Sequence, residues 1–153
     1  SSMEAIFDMD AYLRYVAAEA TLPDEDNYFV GSINYAWYQH PERGWMLLPW
    51  DHDWSFLTAD LNPRTMTSWT WLNEHLWVLL QSPLVPDYER VLQEAIAVYD
   101  PDLFSERLQT WAEQIRPSVF EDPSMSIIEF EAEVERLGRF FYLRQDYLDS
   151  VFP

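Results

Sequence analysis

The residues best suited to chemistry lie in Leu48–Phe56, LPWDHDWSF. Asp51 and Asp53 stand one residue apart, with His52 between them and Trp50 and Trp54 on either side. On an extended chain, side chains at i and i+2 project to one side, so the two carboxylates share a face and His52 points away. Carboxylates set beside so much apolar surface are costly unless something positive neutralises them. A cation would do so. So would an arginine, and a turn capped by Asp51 would also account for that residue. The alternation makes His52 a packed or surface residue rather than a ligand, and Trp50 and Trp54 core walls of the site. His40 and His75 suggest no function.

The elements that must position these groups can be read around them. INYAWYQ and WMLLP read as strands joined by the turn HPERG, a hairpin over about 33–39 and 45–49. If Gln39 pairs with Trp45, Asn34 falls opposite Trp50 and beside Asp51, because antiparallel partners keep one register. The open end of the hairpin thus gathers Asn34, Asp51 and Asp53. The acidic loop LPDEDNYFVGS, which contains Asp26, leads directly into it. Upstream, Asp8 or Asp10 can cap a helix through AYLRYVAAEAT, which ends before Pro23.

Beyond the loop TADLNPRTMTS, helical spacing takes over. WLNEHLWVLLQS is short and very apolar. PDYERVLQEAIAVY puts Tyr88, Leu92, Ala95 and Tyr99 on one face, with Pro86 in its first turn. PDLFSERLQTWAEQIR follows a capping Asp100 and repeats Phe104, Leu108, Trp111 and Ile115. A last helix over about 124–150 carries Ile127, Phe130, Val134, Leu137, Phe141 and Leu148. These stripes read as core rather than as a dimer seam, so a monomer is expected. Gly138 marks either a close helix crossing or nothing. The fold class is α+β, mostly α: one hairpin beside a bundle of four to five helices.

With 153 residues and aromatics at 17%, the chain reads as one packed domain, 1–153. No run of 18 apolar residues suggests a membrane span. Nine arginines and no lysine face 27 acids, a net charge of −18. That sign excludes binding to nucleic acid or an anionic membrane through charge. It suits cations, basic partners or plain solubility in salt. Without cysteine there is no disulfide and no thiolate ligand. Without lysine, the chain cannot supply the Lys that kinases and P-loop enzymes set on nucleotide phosphates.

NYAWYQHPERGWMLLPWDHDWSF resembles the CotH kinase family, whose members carry an N-Y-Y-L-Y strand, a D-P-x-T-G-like turn and a P-W-D-x-D-x-x-F-G stretch. The upstream FDMDAYLRYVAAEATLPDED resembles the family segment ending in G-N-x-D. VPDYERVLQEAI, IRPSVFEDP and RFFYLRQDYL are similar to its helical remainder. The sequence departs at Asp24, which stands at the Asn of G-N-x-D. It departs again at Ala36 and Trp37 in the strand, and at Leu57 in place of the final Gly.

The resemblance implies an atypical kinase-like fold, of which this chain would be the C-lobe, catalytic-loop portion without the N-lobe. It implies γ-phosphoryl transfer from ATP to protein serines with Mg²⁺ or Mn²⁺. Asp51 would bind the metal, Asn34 and Asp53 would be further metal or phosphate-site groups, and Asp26 would be the catalytic base. Ca²⁺ is also compatible with such oxygen donors. Without a lysine the portion alone is expected to bind weakly and turn over poorly or not at all. ATP and a protein substrate are the implied partners, and the setting is extracellular or a spore or cell surface. The alternative is a non-catalytic pseudokinase, or a metal-dependent binding or scaffold module of a larger surface protein. A Ca²⁺-dependent carbohydrate binder is a third and remoter reading.

Overall fold

The structure, a computed structural model, describes residues 6–28, 33–64 and 81–153. The chain divides into two compact units, Ser1–Val98 and Tyr99–Pro153. Among the described residues are four helices and one two-stranded antiparallel hairpin, so the fold is α+β and mostly α. No helix among them is long and apolar enough to cross a membrane.

In the first unit, helix α1 (Met9–Thr21) starts where expected. The Asp8 side chain accepts from the Ala11 N–H at 3.0 Å, satisfying one of the donors that a helix start leaves open. Leu13, Val16, Ala17 and Ala20 are buried at helical spacing. They form the face that packs against helix α2 (Val85–Ala97), which buries Tyr88, Val91 and Leu92. Pro86 lies in the first turn of α2, where its missing N–H costs nothing. The Tyr88 hydroxyl donates to the Pro63 carbonyl at 2.7 Å, anchoring the loop before α2. Burial raises the pKa of that phenol, so it remains a donor.

The hairpin is built from β1 (Tyr35–His40) and β2 (Gly44–Pro49). Its register pairs Gln39 with Trp45 and Tyr35 with Pro49, as the sequence spacing requires. Inside the turn, His40 Nδ1 accepts from the N–H groups of Glu42 and Arg43, each at 3.2 Å. Gly44 ends the turn at φ 82. The outer edge of β2 is covered by the segment before α1. Trp45 N–H donates to the Ile6 carbonyl at 2.7 Å, and Asp8 N–H donates to the Trp45 carbonyl at 3.0 Å. A Cβ at position 44 would lie 2.3 Å from the Ile6 carbonyl oxygen, so glycine is needed for space as well as for its left-handed backbone.

In the second unit, α3 (Pro101–Glu121) packs on α4 (Ile127–Val151). Asp100 and Ser126 cap their N-termini through bonds to the Leu103 and Glu129 N–H groups. Phe104 stacks on Phe141 at 5.4 Å between centroids, and the Tyr99 hydroxyl donates to the Phe141 carbonyl. The stripe expected on α3 is only partly core: Trp111 and Ile115 are 57% and 50% exposed. The buried positions are instead Ala112 and Val119, one residue on from Trp111 and four from Ile115. One residue turns a helix by about 100°, enough to carry Trp111 off the contact line. Gly138 marks no close crossing, since a Cβ there would meet Leu108 Cδ2 at an ordinary 3.9 Å. The apolar helix read from WLNEHLWVLLQS falls almost wholly outside the described residues.

Candidate functional site

Beyond the last strand pair, Trp50 N–H still donates to the Asn34 carbonyl, at 3.2 Å. There the ladder ends, because Asn34 and Asp51 both take left-handed backbones, at φ 56 and 60. Asn and Asp tolerate that region better than other residues with a Cβ. The Asn34 amide then ties three segments together. Its Nδ2 donates to the Asp26 carbonyl at 2.7 Å, to Asp26 Oδ2 at 3.2 Å and to the Asp51 carbonyl at 3.4 Å. Three of the four residues singled out in the sequence thus meet at the open end of the hairpin.

Asp53 relates to them differently from the extended-chain expectation. The left-handed Asp51 is followed by a turn in which Ser55 N–H donates to the His52 carbonyl. Strict alternation therefore fails here. Asp51 and Asp53 are both exposed rather than set against an apolar wall. Trp50 and Trp54 are 58% and 56% exposed and are not core walls. The residue that takes the left-handed corner after this turn is Phe56, at φ 66, rather than Leu57.

The loops carrying Asp26 and Asp51 are zipped by backbone bonds. Glu25 N–H donates to the Trp54 carbonyl and Phe56 N–H to the Pro23 carbonyl, with Asp24 and Ser55 as bridge partners between them. Asp24 Oδ1 accepts from the Asp26 N–H at 2.9 Å and fixes the turn that presents Asp26. Its other oxygen, Oδ2, lies 2.8 Å from His52 Nδ1. Glu19, in the last turn of α1, brings Oε1 to 3.7 Å from the same nitrogen. Asn27 donates to Glu19 Oε2 at 2.8 Å. Burial, with Asp24 adding to it, pushes the Glu19 carboxyl up to about 7, against the pull of Asn27 and His52.

Glu19, Asp24 and His52 are the part of the site that sequence reasoning missed. Alternation along an extended chain sets His52 away from Asp51 and Asp53 as a packed or surface residue, and the motif marks Asp24 only as a departure. The available signal was the position of Glu19, three residues after Val16 on the buried face of α1. An acid among Leu13, Val16, Ala17 and Ala20 needs partners.

The arginines of this unit are engaged with carboxylates outside the site. Arg14 pairs with Asp10 and Glu94, Arg43 with Asp8, Arg64 with Glu89 and Arg90 with Glu94. Asp51 and Asp53 are exposed and Asn34 is half-buried, and each carries a hard side-chain oxygen.

The family model described as CotH kinase protein matches residues 1–148. The chain belongs to the CotH kinase family, a kinase-like class. No curated protein and no solved structure matches it.

Proposed function

We propose that this chain carries the catalytic loop and metal-binding loop of a metal-dependent phosphotransferase, which moves the γ-phosphoryl group of ATP to a protein serine. The observation that supports this reading is the Asn34 amide, which reaches Asp26 and Asp51 across 8 and 17 residues of sequence. Phosphoryl transfer asks little covalent work of a protein. It asks for a carboxylate that orients the attacking hydroxyl beside oxygens that hold a cation.

Asp26 is the base that orients the acceptor. Asn34 holds it by one carboxylate oxygen, and Asp24 holds its N–H. Asp51, with Asp53 and Asn34, would hold Mg²⁺ or Mn²⁺, and Ca²⁺ fits the same donors. A divalent cation there would neutralise charge on the phosphate oxygens. With no lysine in the sequence, the basic group facing the phosphates comes from an arginine or from outside this chain, so the chain alone turns over weakly. Family membership points to a protein acceptor in a spore or cell-surface setting. The same absence of lysine favours the second reading, a pseudokinase or binding module that holds metal without transferring phosphate.

The test is a thermal melt with Mg²⁺, Mn²⁺ or Ca²⁺, each with and without ATP, on wild type and Asp51→Asn. A ligand at 100 times its Kd stabilises by about 2.7 kcal/mol. That raises Tm by roughly 2–6 °C in a chain of this size. The expected result is a rise that needs Mg²⁺ or Mn²⁺ together with ATP and is lost in Asp51→Asn. A rise with Ca²⁺ alone favours the binding module. Labelled phosphate appearing on a protein acceptor, and not with Asp26→Asn, separates the enzyme from the pseudokinase.

A further inference from the structure

We infer that Glu19, Asp24 and His52 form a second cation site, separate from the Asp51 site and suited to Zn²⁺ or a similar transition-metal ion. The three side chains come from three segments: the end of α1, the loop after it and the turn after β2. Each offers one ligand atom, and the three atoms lie within 4.8 Å of one another. His52 Nδ1 is 2.8 Å from Asp24 and 3.7 Å from Glu19. Ligands about 2.0–2.2 Å from a tetrahedral zinc are about 3.4 Å apart. The two distances to His52 bracket that value, and the Glu19–Asp24 separation is within 4.8 Å, so side-chain rotations suffice to close the site.

A plain His–Asp hydrogen bond does not account for Glu19. Its side chain is only 9% exposed, and that of Asp24 only 2%. Two carboxylates buried side by side repel one another, and removing both from water adds to the cost. Asn27 takes up Glu19 Oε2. This leaves Oε1 facing the imidazole at a distance beyond hydrogen-bond length. The nine-tenths buried Glu19 side chain thus has one oxygen held by Asn27 and the other near the imidazole, an arrangement that a shared cation would close. An imidazole binding through Nδ1 carries its proton on Nε2.

The donor set decides the metal. One imidazole nitrogen with two carboxylate oxygens suits Zn²⁺ and its neighbours, whereas oxygen-only sites suit Mg²⁺ and Ca²⁺. The half-exposed ring, at 44%, leaves a path from solvent and room for a water as fourth ligand. Asp24 also holds the Asp26 N–H, and His52 sits between Asp51 and Asp53. A cation here would pin α1 and both functional loops to one point. Its role is structural, and it does not depend on the phosphotransferase reading.

The full chain, stripped with EDTA and free of ATP, is titrated with Zn²⁺ by calorimetry. One ion per chain is expected. Removing a group that merely supports a ligand lowers metal affinity by about 10–100-fold, so His52→Gln and Glu19→Gln, which remove ligands, should each lower it by at least about 100-fold. Asp51→Asn should leave it unchanged, whatever that variant does to the Mg²⁺–ATP response. Circular dichroism establishes that each variant folds. For wild type, Co²⁺ should broaden the His52 ring resonances and spare those of His40, a readout that needs no variant. Absence of saturable Zn²⁺ binding overturns the site. So does binding that survives His52→Gln, or binding lost in Asp51→Asn.

Discussion

Asn34 shows how much of the site one side chain can carry. Its backbone is left-handed, at φ 56, and its amide bonds to Asp26 and Asp51. Its place beside Asp51 was legible because a hairpin has only one register once its turn is fixed. The places of His52 and Glu19 were not legible. Alternation holds only while the chain stays extended, and Asp51 at φ 60 ends that. Nothing local in the sequence announces a left-handed aspartate. At this scale the consequence to measure is in Glu19, whose carboxyl is pushed from 4.5 up to about 7, chiefly by burial. An acid with a raised folded pKa takes up a proton on folding. Its contribution is therefore fully present below about pH 4.5 and is lost as pH rises towards 7, after which the curve is flat. In EDTA, wild type should lose on the order of 2–3 kcal/mol across that window relative to Glu19→Gln, measured by urea denaturation at several pH values. Parallel curves for the two proteins would mean that Glu19 is not held in this environment.

The elements were more legible than the site, since periodicity and capping are local signals. Asp8, Asp100 and Ser126 each cap a helix by accepting a backbone N–H. Pro86 and Pro101 sit in first turns, where a missing N–H is harmless. The sequence pattern could not separate a covered stripe from an open one. Trp111 and Ile115 fit the helical period as well as Ala112 and Val119 do, yet only the second pair is buried. The edge contact on β2 was also hidden, because the pairing partner Phe7 is far away in sequence. Gly44 reports on that edge. Gly44→Ala adds a Cβ 2.3 Å from the Ile6 carbonyl and strains a backbone at φ 82. A left-handed residue with a Cβ costs about 1–2 kcal/mol, and displacing the edge bond adds about 1 kcal/mol. The expected loss is about 2–3 kcal/mol in denaturant, with hydrogen exchange at Trp45 N–H accelerated more than at Ala18, inside α1. A loss below about 0.5 kcal/mol would mean that the edge segment does not hold this position.

Across the whole molecule the dominant fact is charge, 27 acids against nine arginines. Most of the arginines are paired: Arg14, Arg43, Arg64, Arg90, Arg116 and Arg136 each bind a carboxylate, and in half of these pairs both side chains are exposed. Exposed pairs contribute a median of about 0–1 kcal/mol, and salt weakens them. The excess of 18 negative charges opposes folding by self-repulsion, and salt weakens that too. The two effects have opposite sign, and number decides between them, because two acids in three have no arginine to match. Raising ionic strength from about 0.01 M to about 0.5 M cuts the Debye length from about 30 Å to roughly 4 Å, silencing repulsion between distant acids while contact pairs survive in part. Tm should therefore rise with NaCl, and it should rise to the same extent in Asp51→Asn, where one acid of 27 is removed. A divalent chloride at matched ionic strength separates screening from binding. Mg²⁺ or Ca²⁺ should exceed Na⁺ in wild type by more than in Asp51→Asn if the acids at the open end of the hairpin take up the ion. A Tm that falls with NaCl would place the stabilising electrostatics in the arginine pairs and make the acidic excess thermodynamically silent.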